Sequence, residues 1–249
     1  MATVSLSDDG NIKIEVGEPD DIITQLGKRS DGEFKPYSIS TRYEGINSYY
    51  VHVIKDDYLP SVFEDSDDFV ETLRVQSATN QYVQNYCDIA GEYLNDYLKK
   101  VGIIDENTYF VQVPSSPNDL TETFFKSFIG MSNNFSDEAI TIKEEVTAND
   151  LVISEHAPKE AVEYFEDLFT QMDKVDAYYD FEDLKIDPKN YIYLNGFITV
   201  LWDQINIPEN AEIILVRDRL RRGHLLYDAI DQLSEKYNVV GIATLFRQL

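Results

Sequence analysis

A single cysteine, Cys87, in 249 residues leaves no partner for an intramolecular disulfide and excludes a zinc site built from a cysteine cluster. The three histidines, His52, His156 and His224, are far apart in the chain, which argues against a histidine-rich metal site. No run of about 18 apolar residues occurs. Residues Met1 to Ser5 also lack the basic stretch and apolar run of a secretory signal. The expectation is a cytoplasmic protein with no membrane span. Basic residues are scarce, 21 Lys and Arg against 46 Asp and Glu, for a formal charge of −25. A surface of that sign repels nucleic-acid phosphates and anionic lipid, so neither direct nucleic-acid binding nor membrane binding is expected. Walker-type loops, GxGxxG, GxSxG and HExxH are all missing.

What is present is a folded chain's composition: 43% hydrophobic residues, with 17 Tyr and 13 Phe. The acidic excess fits two readings, a well-solvated soluble protein or an acidic surface that mimics nucleic acid and docks on a basic partner.

Val4 and Leu6, then Ile12, Ile14 and Val16, alternate about Asp8-Asp9-Gly10-Asn11 and predict a β-hairpin. Strand character resumes at Tyr37–Tyr43 and Tyr49–Ile54, with His52 on a strand face. Residues 56–68 carry six acids and no base and read as a solvated loop. From about Asp67 to Lys100 the spacing turns helical, with Tyr86, Ile89, Ala90, Tyr93, Leu94, Tyr97 and Leu98 on one core-facing stripe and Cys87 a buried thiol. Gly102 stops that helix. Tyr109–Pro114 reads as a short buried strand, followed by the loop Ser115–Asp119 and a helix over Thr121–Ile129. Short strands are expected at Ala139–Ile142 and Leu151–Ile153, and a helix starting at Pro158, with His156, next to Ser154, helping to cap it. A second acidic stretch, Asp176–Asp187, precedes Tyr191–Leu194 and Phe197–Trp202. The tail reads as strand 212–216, loop 217–223, helix 225–237 and strand 239–245. Alternating strands and helices predict an α/β protein with a mostly parallel sheet flanked by helices, its core at 105–249 and a β-rich N-terminal segment with a helix at 1–104.

Four of the chain's eight arginines fall at Arg217, Arg219, Arg221 and Arg222. They follow the apolar run Ile213–Val216 and precede a helix. The carboxyl end of a parallel strand is where such sheets bind ligands. A helix N-terminus offers unpaired N–H groups, guanidinium forks match phosphate oxygens, and Gly223 allows close backbone approach. The segment therefore reads as an anion-binding loop. The bland alternative pairs these arginines with Asp176–Asp187 or with an adjoining subunit of a homodimer.

The same segment resembles the signature of the type I phosphoribosyltransferases: four apolar residues, two acids, an apolar residue, two small hydroxyl residues, glycine, any residue and threonine. Ile213–Val216 match the apolar strand, Asp218 the second acid and Gly223 the glycine. Val239–Arg247 is similar to the closing strand. The likeness is nearest the ComF-like branch, in which Phe110–Ser116 corresponds to the strand and loop that contact pyrophosphate. The chain departs from the pattern at Arg217, Arg219, Arg221, Arg222 and Leu225. The resemblance implies a phosphorylated small-molecule ligand gripped by Arg221, Arg222, Gly223 and His224. It also implies Asp218 at a sugar hydroxyl, in the place of the family's catalytic acids, Ser115 and Ser116 at a second phosphate, and Mg2+ accompanying a polyphosphate. With the first acid and both hydroxyl residues replaced, standard transferase activity is expected to be lost.

Overall fold

The computed structural model describes residues 3–7, 10–15, 37–40, 43, 45–54, 63–115, 119–143, 145–173, 179–180, 186–187, 189–221 and 223–248. The acidic run at 56–62, most of 176–187, Ser116 and Arg222 lie outside them.

Strands β1 (Thr3–Leu6) and β2 (Ile12–Glu15) form the expected hairpin, in the register Val4 to Ile14. Next come β3 (Tyr37–Ser40) and β4 (Asn47–Ile54). The predicted long helix is two, α1 (Ser66–Ser77) and α2 (Gln81–Lys100). Asp65 caps α1 by accepting the Asp67 and Asp68 amides, each at 2.9 Å. Asn80 interrupts the run because its carboxamide restarts the helix, accepting the Tyr82 amide at 2.9 Å and donating to the Ile12 carbonyl at 2.7 Å. Asp65–Asp68, read from sequence as the end of a solvated loop, thus form the first turn of α1. At the end of α2 Gly102 adopts φ +75°, as its stop role requires.

The carboxyl-terminal part adds β5 (Tyr109–Gln112), α3 (Asp119–Ile129) and β6 (Phe135–Ser136). Then follow the short strands β7 (Ile140–Ile142), β8 (Glu145–Val146) and β9 (Val152–Ile153), and helix α4 (Lys159–Asp173). After them come β10 (Tyr179–Asp180), β11 (Leu194–Asn195) and β12 (Ile198–Val200). Strand β13 (Glu212–Leu220), helix α5 (His224–Leu233) and strand β14 (Asn238–Gln248) close the chain. Tyr191–Tyr193 is a single 3-10 turn.

The main sheet has the order β3-β4-β14-β13-β5-β6. All neighbours are parallel except the edge strand β3, so the fold is α/β with five parallel strands flanked by helices. The N-terminal segment contributes β4 directly to this sheet, beside β14. Side chains alternate along β13. Ile214 and Val216 join Leu73, Val83, Leu94 and Phe124 of α1–α3 on one face. Ile213 and Leu215 join Leu226, Ala229, Ile230 and Phe165 of α4 and α5 on the other. A strand covered on both faces must be apolar throughout, hence the unbroken Ile213–Val216 run. Gly91 lets α2 and α3 approach: a Cβ there would lie 2.7 Å from the Phe128 amide nitrogen.

The crossover β5–α3–β6 moves outward one way and β13–α5–β14 the other, with α3 and α5 on opposite faces. The boundary between β13 and β5 is therefore the topological switch point. Pairing across it ends at Val216–Gln112 and one further bond, Val113 amide to Val216 carbonyl at 2.9 Å. Strand β13 runs on to Leu220, four residues past its expected end, because β14 extends to Gln248 and supplies a ladder for Arg217, Arg219 and Leu220.

His52 is buried on β4, stacked on Tyr86 with ring centroids 5.6 Å apart and near Phe246. Neither ring nitrogen has a hydrogen-bond partner among the described residues, and burial pushes its pKa from 6.5 down to about 3. The unfolded chain takes up that proton more readily between about pH 6.5 and about pH 3, so this contribution is lost as pH falls through the window. Urea unfolding at about pH 5 is expected to show about 2 kcal/mol less stability than at about pH 7 from this group. His52→Leu should remove that part of the slope, and an unchanged slope would exonerate the histidine.

Candidate functional site

Where β13 outruns β5, its polar end meets the first three turns of α1. Asp67, Glu71 and Arg74 recur at helical spacing and so share one face of α1. The Arg74 Nε donates to Asp218 Oδ2 at 2.7 Å and its Nη2 to Oδ1 at 3.3 Å; both side chains are buried, Asp218 completely. Arg74 Nη1 also donates to Glu71 Oε1 at 2.6 Å. Arg219 Nη1 donates to Asp67 Oδ1 at 2.8 Å and its Nη2 lies 3.7 Å from Glu71 Oε1. Arg221 Nη1 reaches Asp67 Oδ2 at 2.5 Å. The Asp67 carboxylate thus bridges two guanidinium groups, one oxygen to each. Arg217 is 12% exposed, with its Nε 3.7 Å from Asp218 Oδ1.

Burial alone would raise the Asp218 carboxyl. The charge and hydrogen bonds of Arg74, with the charges of Arg217 and Arg219, outweigh it and hold the group below the usual carboxylate range. Burial also lowers Arg217 to about 10, partly opposed by Asp218 and reinforced by Arg74 and Arg219. Four guanidinium groups face three carboxylates here, leaving one excess positive charge among these described groups.

The structure gathers Asp218 and Arg221 of the sequence-predicted residues into this network. Gly223 begins α5 in the left-handed region, φ +76°, and a Cβ there would meet the Tyr227 ring at 2.7 Å. His224 packs its ring against Tyr191 and Phe197, with centroids 5.3 and 5.5 Å away. Ser115 is buried and shares a 2.8 Å hydrogen bond with the Thr121 hydroxyl. Among the described residues Arg219 pairs with Asp67 and Glu71, Arg221 with Asp67, and Arg217 lies against Asp218; most of the Asp176–Asp187 stretch weighed from sequence lies outside the described residues. No protein-family model matches the chain, and no curated protein matches it.

A magnesium ion does not fit the groups at this strand end. Asp218 is the one carboxylate at this end of β13, and both its oxygens face Arg74. Among the described residues no group of three or more His, Cys, Asp or Glu could hold a metal ion, and no helix is long and apolar enough to cross a membrane.

Sequence reasoning missed α1 as the partner of the arginines; the readable signal was the 67, 71, 74 spacing. It also missed Asp228, buried on α5 among apolar neighbours. Its Oδ2 accepts the amides of Gly196, Phe197 and Ile198 at 2.9, 2.8 and 3.1 Å, and its Oδ1 accepts from Gln232 at 2.8 Å. Burial nonetheless raises its pKa against these four bonds. Asp231, one turn on, accepts from Tyr43, Ser154 and Asn195. These acids fasten Tyr43, Ser154 and the turn at 195–198 onto α5.

Removing one member of a buried ion pair strands the other charge. Arg74→Leu is therefore expected to cost about 3–5 kcal/mol in urea unfolding. Combined with Asp218→Leu it should recover most of that loss, and a double variant as weak as the single would refute the assignment.

Proposed function

We propose that this chain is a phosphoribosyltransferase-like α/β protein that holds a phosphorylated small molecule at the carboxyl end of β13 and no longer transfers phosphoribosyl groups. The observation carrying this reading is the state of Asp218. The one acid retained at the position where the resembled family binds ribose hydroxyls is turned inward onto Arg74, fully buried. A sugar would find no acceptor there. Three described arginines nonetheless converge at the switch point, ahead of a helix N-terminus opened by Gly223, and that supports binding of a phosphate group. The likeness of residues 213–223 and 239–247 to the family's closing elements supports the fold assignment.

Titration calorimetry with phosphoribosyl pyrophosphate, inorganic phosphate and nucleoside monophosphates tests this. Heat is expected from phosphorylated ligands and should be abolished in Arg221→Ala/Arg222→Ala. Incubation with phosphoribosyl pyrophosphate and free bases should release no pyrophosphate. Absence of heat from every ligand, or steady pyrophosphate release, would sink the reading.

A second reading, an acidic non-catalytic protein docking on a basic partner, is favoured by the internal pairing of Arg219 and Arg221, which leaves the −25 surface charge to dominate encounters. Its mark is partner binding that weakens steeply with salt and ignores the arginine substitutions.

A further inference from the structure

Arg219 and Arg221 hold one carboxylate between them in the manner in which two guanidinium groups hold a phosphate: one oxygen each, at 2.8 and 2.5 Å. That carboxylate belongs to Asp67, in the first turn of α1. Its exchangeability differs sharply from that of the pair two turns on. Arg74 and Asp218 are 3% and 0% exposed, so α1 is anchored at that point by an ion pair shut away from solvent. Asp67 and Arg221 are 32% and 42% exposed, and Glu71, which touches both Arg74 and Arg219, is 44% exposed. Partly exposed pairs of this kind are weak and exchange with other anions, whereas the buried pair does not.

From this contrast we infer that Asp67 is an internal occupant of an anion clamp formed by Arg219 and Arg221, and that a phosphate monoester dianion binds by displacing it. The inference rests on the phosphate-binding reading above and adds to it both a residue pair and a gate. Displacement needs no movement of the whole helix. The Arg74–Asp218 pair keeps α1 in register while the Asp67 side chain rotates out to water, and Glu71 retains Arg74. The incoming dianion brings twice the charge of the carboxylate it replaces and at least as many acceptor oxygens, so it competes on charge and on hydrogen bonds at once. Arg217, next to the clamp along β13 and 3.7 Å from its nearest partner among the described residues, adds positive potential without being consumed by the exchange.

The gate makes an unusual demand on mutagenesis, because neutralising an acid in an acidic protein must improve binding at this clamp and do so only through the two arginines. Calorimetric titration of the full chain with inorganic phosphate at constant ionic strength reads this out. Asp67→Asn is expected to tighten phosphate binding about tenfold over the unsubstituted protein. Adding Arg219→Ala to it should return the affinity to the unsubstituted level or below. Asp67→Ser serves as a second variant should Asn at that position disturb the first turn of α1, and Asp68→Asn, one residue along, controls for loss of general negative charge. If the unsubstituted protein binds phosphate and neither Asp67 variant binds more tightly, or if Asp68→Asn gains as much, the gate is refuted while the phosphate reading stands. If no protein in the series binds phosphate, the gate is refuted, and the phosphate reading falls with it only when phosphoribosyl pyrophosphate and nucleoside monophosphates also give no heat.

Discussion

The buried pair between Arg74 and Asp218 is the constraint on which the upper end of this molecule depends. It joins a helix to the central strand through two hydrogen bonds in a place with no solvent exposure for the acid. Taking two charges out of water costs several kcal/mol each and is tolerated only when geometry and additional donors satisfy them. Here the satisfaction is shared: Glu71 takes a further Arg74 nitrogen, and the charge and hydrogen bonds of Arg74, with smaller contributions from Arg217 and Arg219, hold the Asp218 carboxyl in its ionised form. Once that pair is set, the pitch of α1 carries Glu71 and Asp67 one and two turns back along the same face, over Arg219 and Arg221. The whole ionic surface at the sheet's carboxyl end follows from one interior contact.

The opposite face of the sheet uses acids differently. Asp228 and Asp231 are one helical turn apart on α5 and face backbone amides and neutral side chains. Three consecutive amides converging on one oxygen fix the bend at Gly196, whose φ of +105° and 2.0 Å approach of a notional Cβ to the Asp150 carbonyl admit no side chain. Thus one layer is tied to β13 by charge pairing and the other to α5 by hydrogen bonds to Asp228 and Asp231. The switch point lies between them, where β13 continues past β5 and, among the described residues, is paired on its β14 side alone. That gap is where the arginines gather.

Much of this architecture was legible beforehand. The unbroken apolar run Ile213–Val216 demanded burial on two faces, the alternation of strands and helices demanded a parallel sheet, and Gly102 marked a helix stop. The boundary at Val216 was misplaced because charged residues at 217–219 look like loop in a single sequence. Their backbone is strand because β14 reaches Gln248, and a partner strand's length is not written in the strand it pairs with. The break at Asn80 was hidden because apolar periodicity continued across it, while the capping carboxamide answered to Ile12, far away in the chain.

The sequence by itself determined the α/β class, the buried central strand, the concentration of arginine ahead of α5 and the lack of an intramolecular disulfide or a cysteine-cluster zinc site, because these depend on residue type and short-range spacing. Only the tertiary structure decided what the arginines and Asp218 touch. Charge is visible in a sequence but its partner is not: whether Asp218 faces a ligand or Arg74, and whether Arg219 and Arg221 stand open or hold Asp67, depends on a helix about 150 residues earlier being laid against β13. That placement comes from hydrophobic packing of Phe69, Val70 and Leu73 rather than from anything in the strand–loop–helix itself.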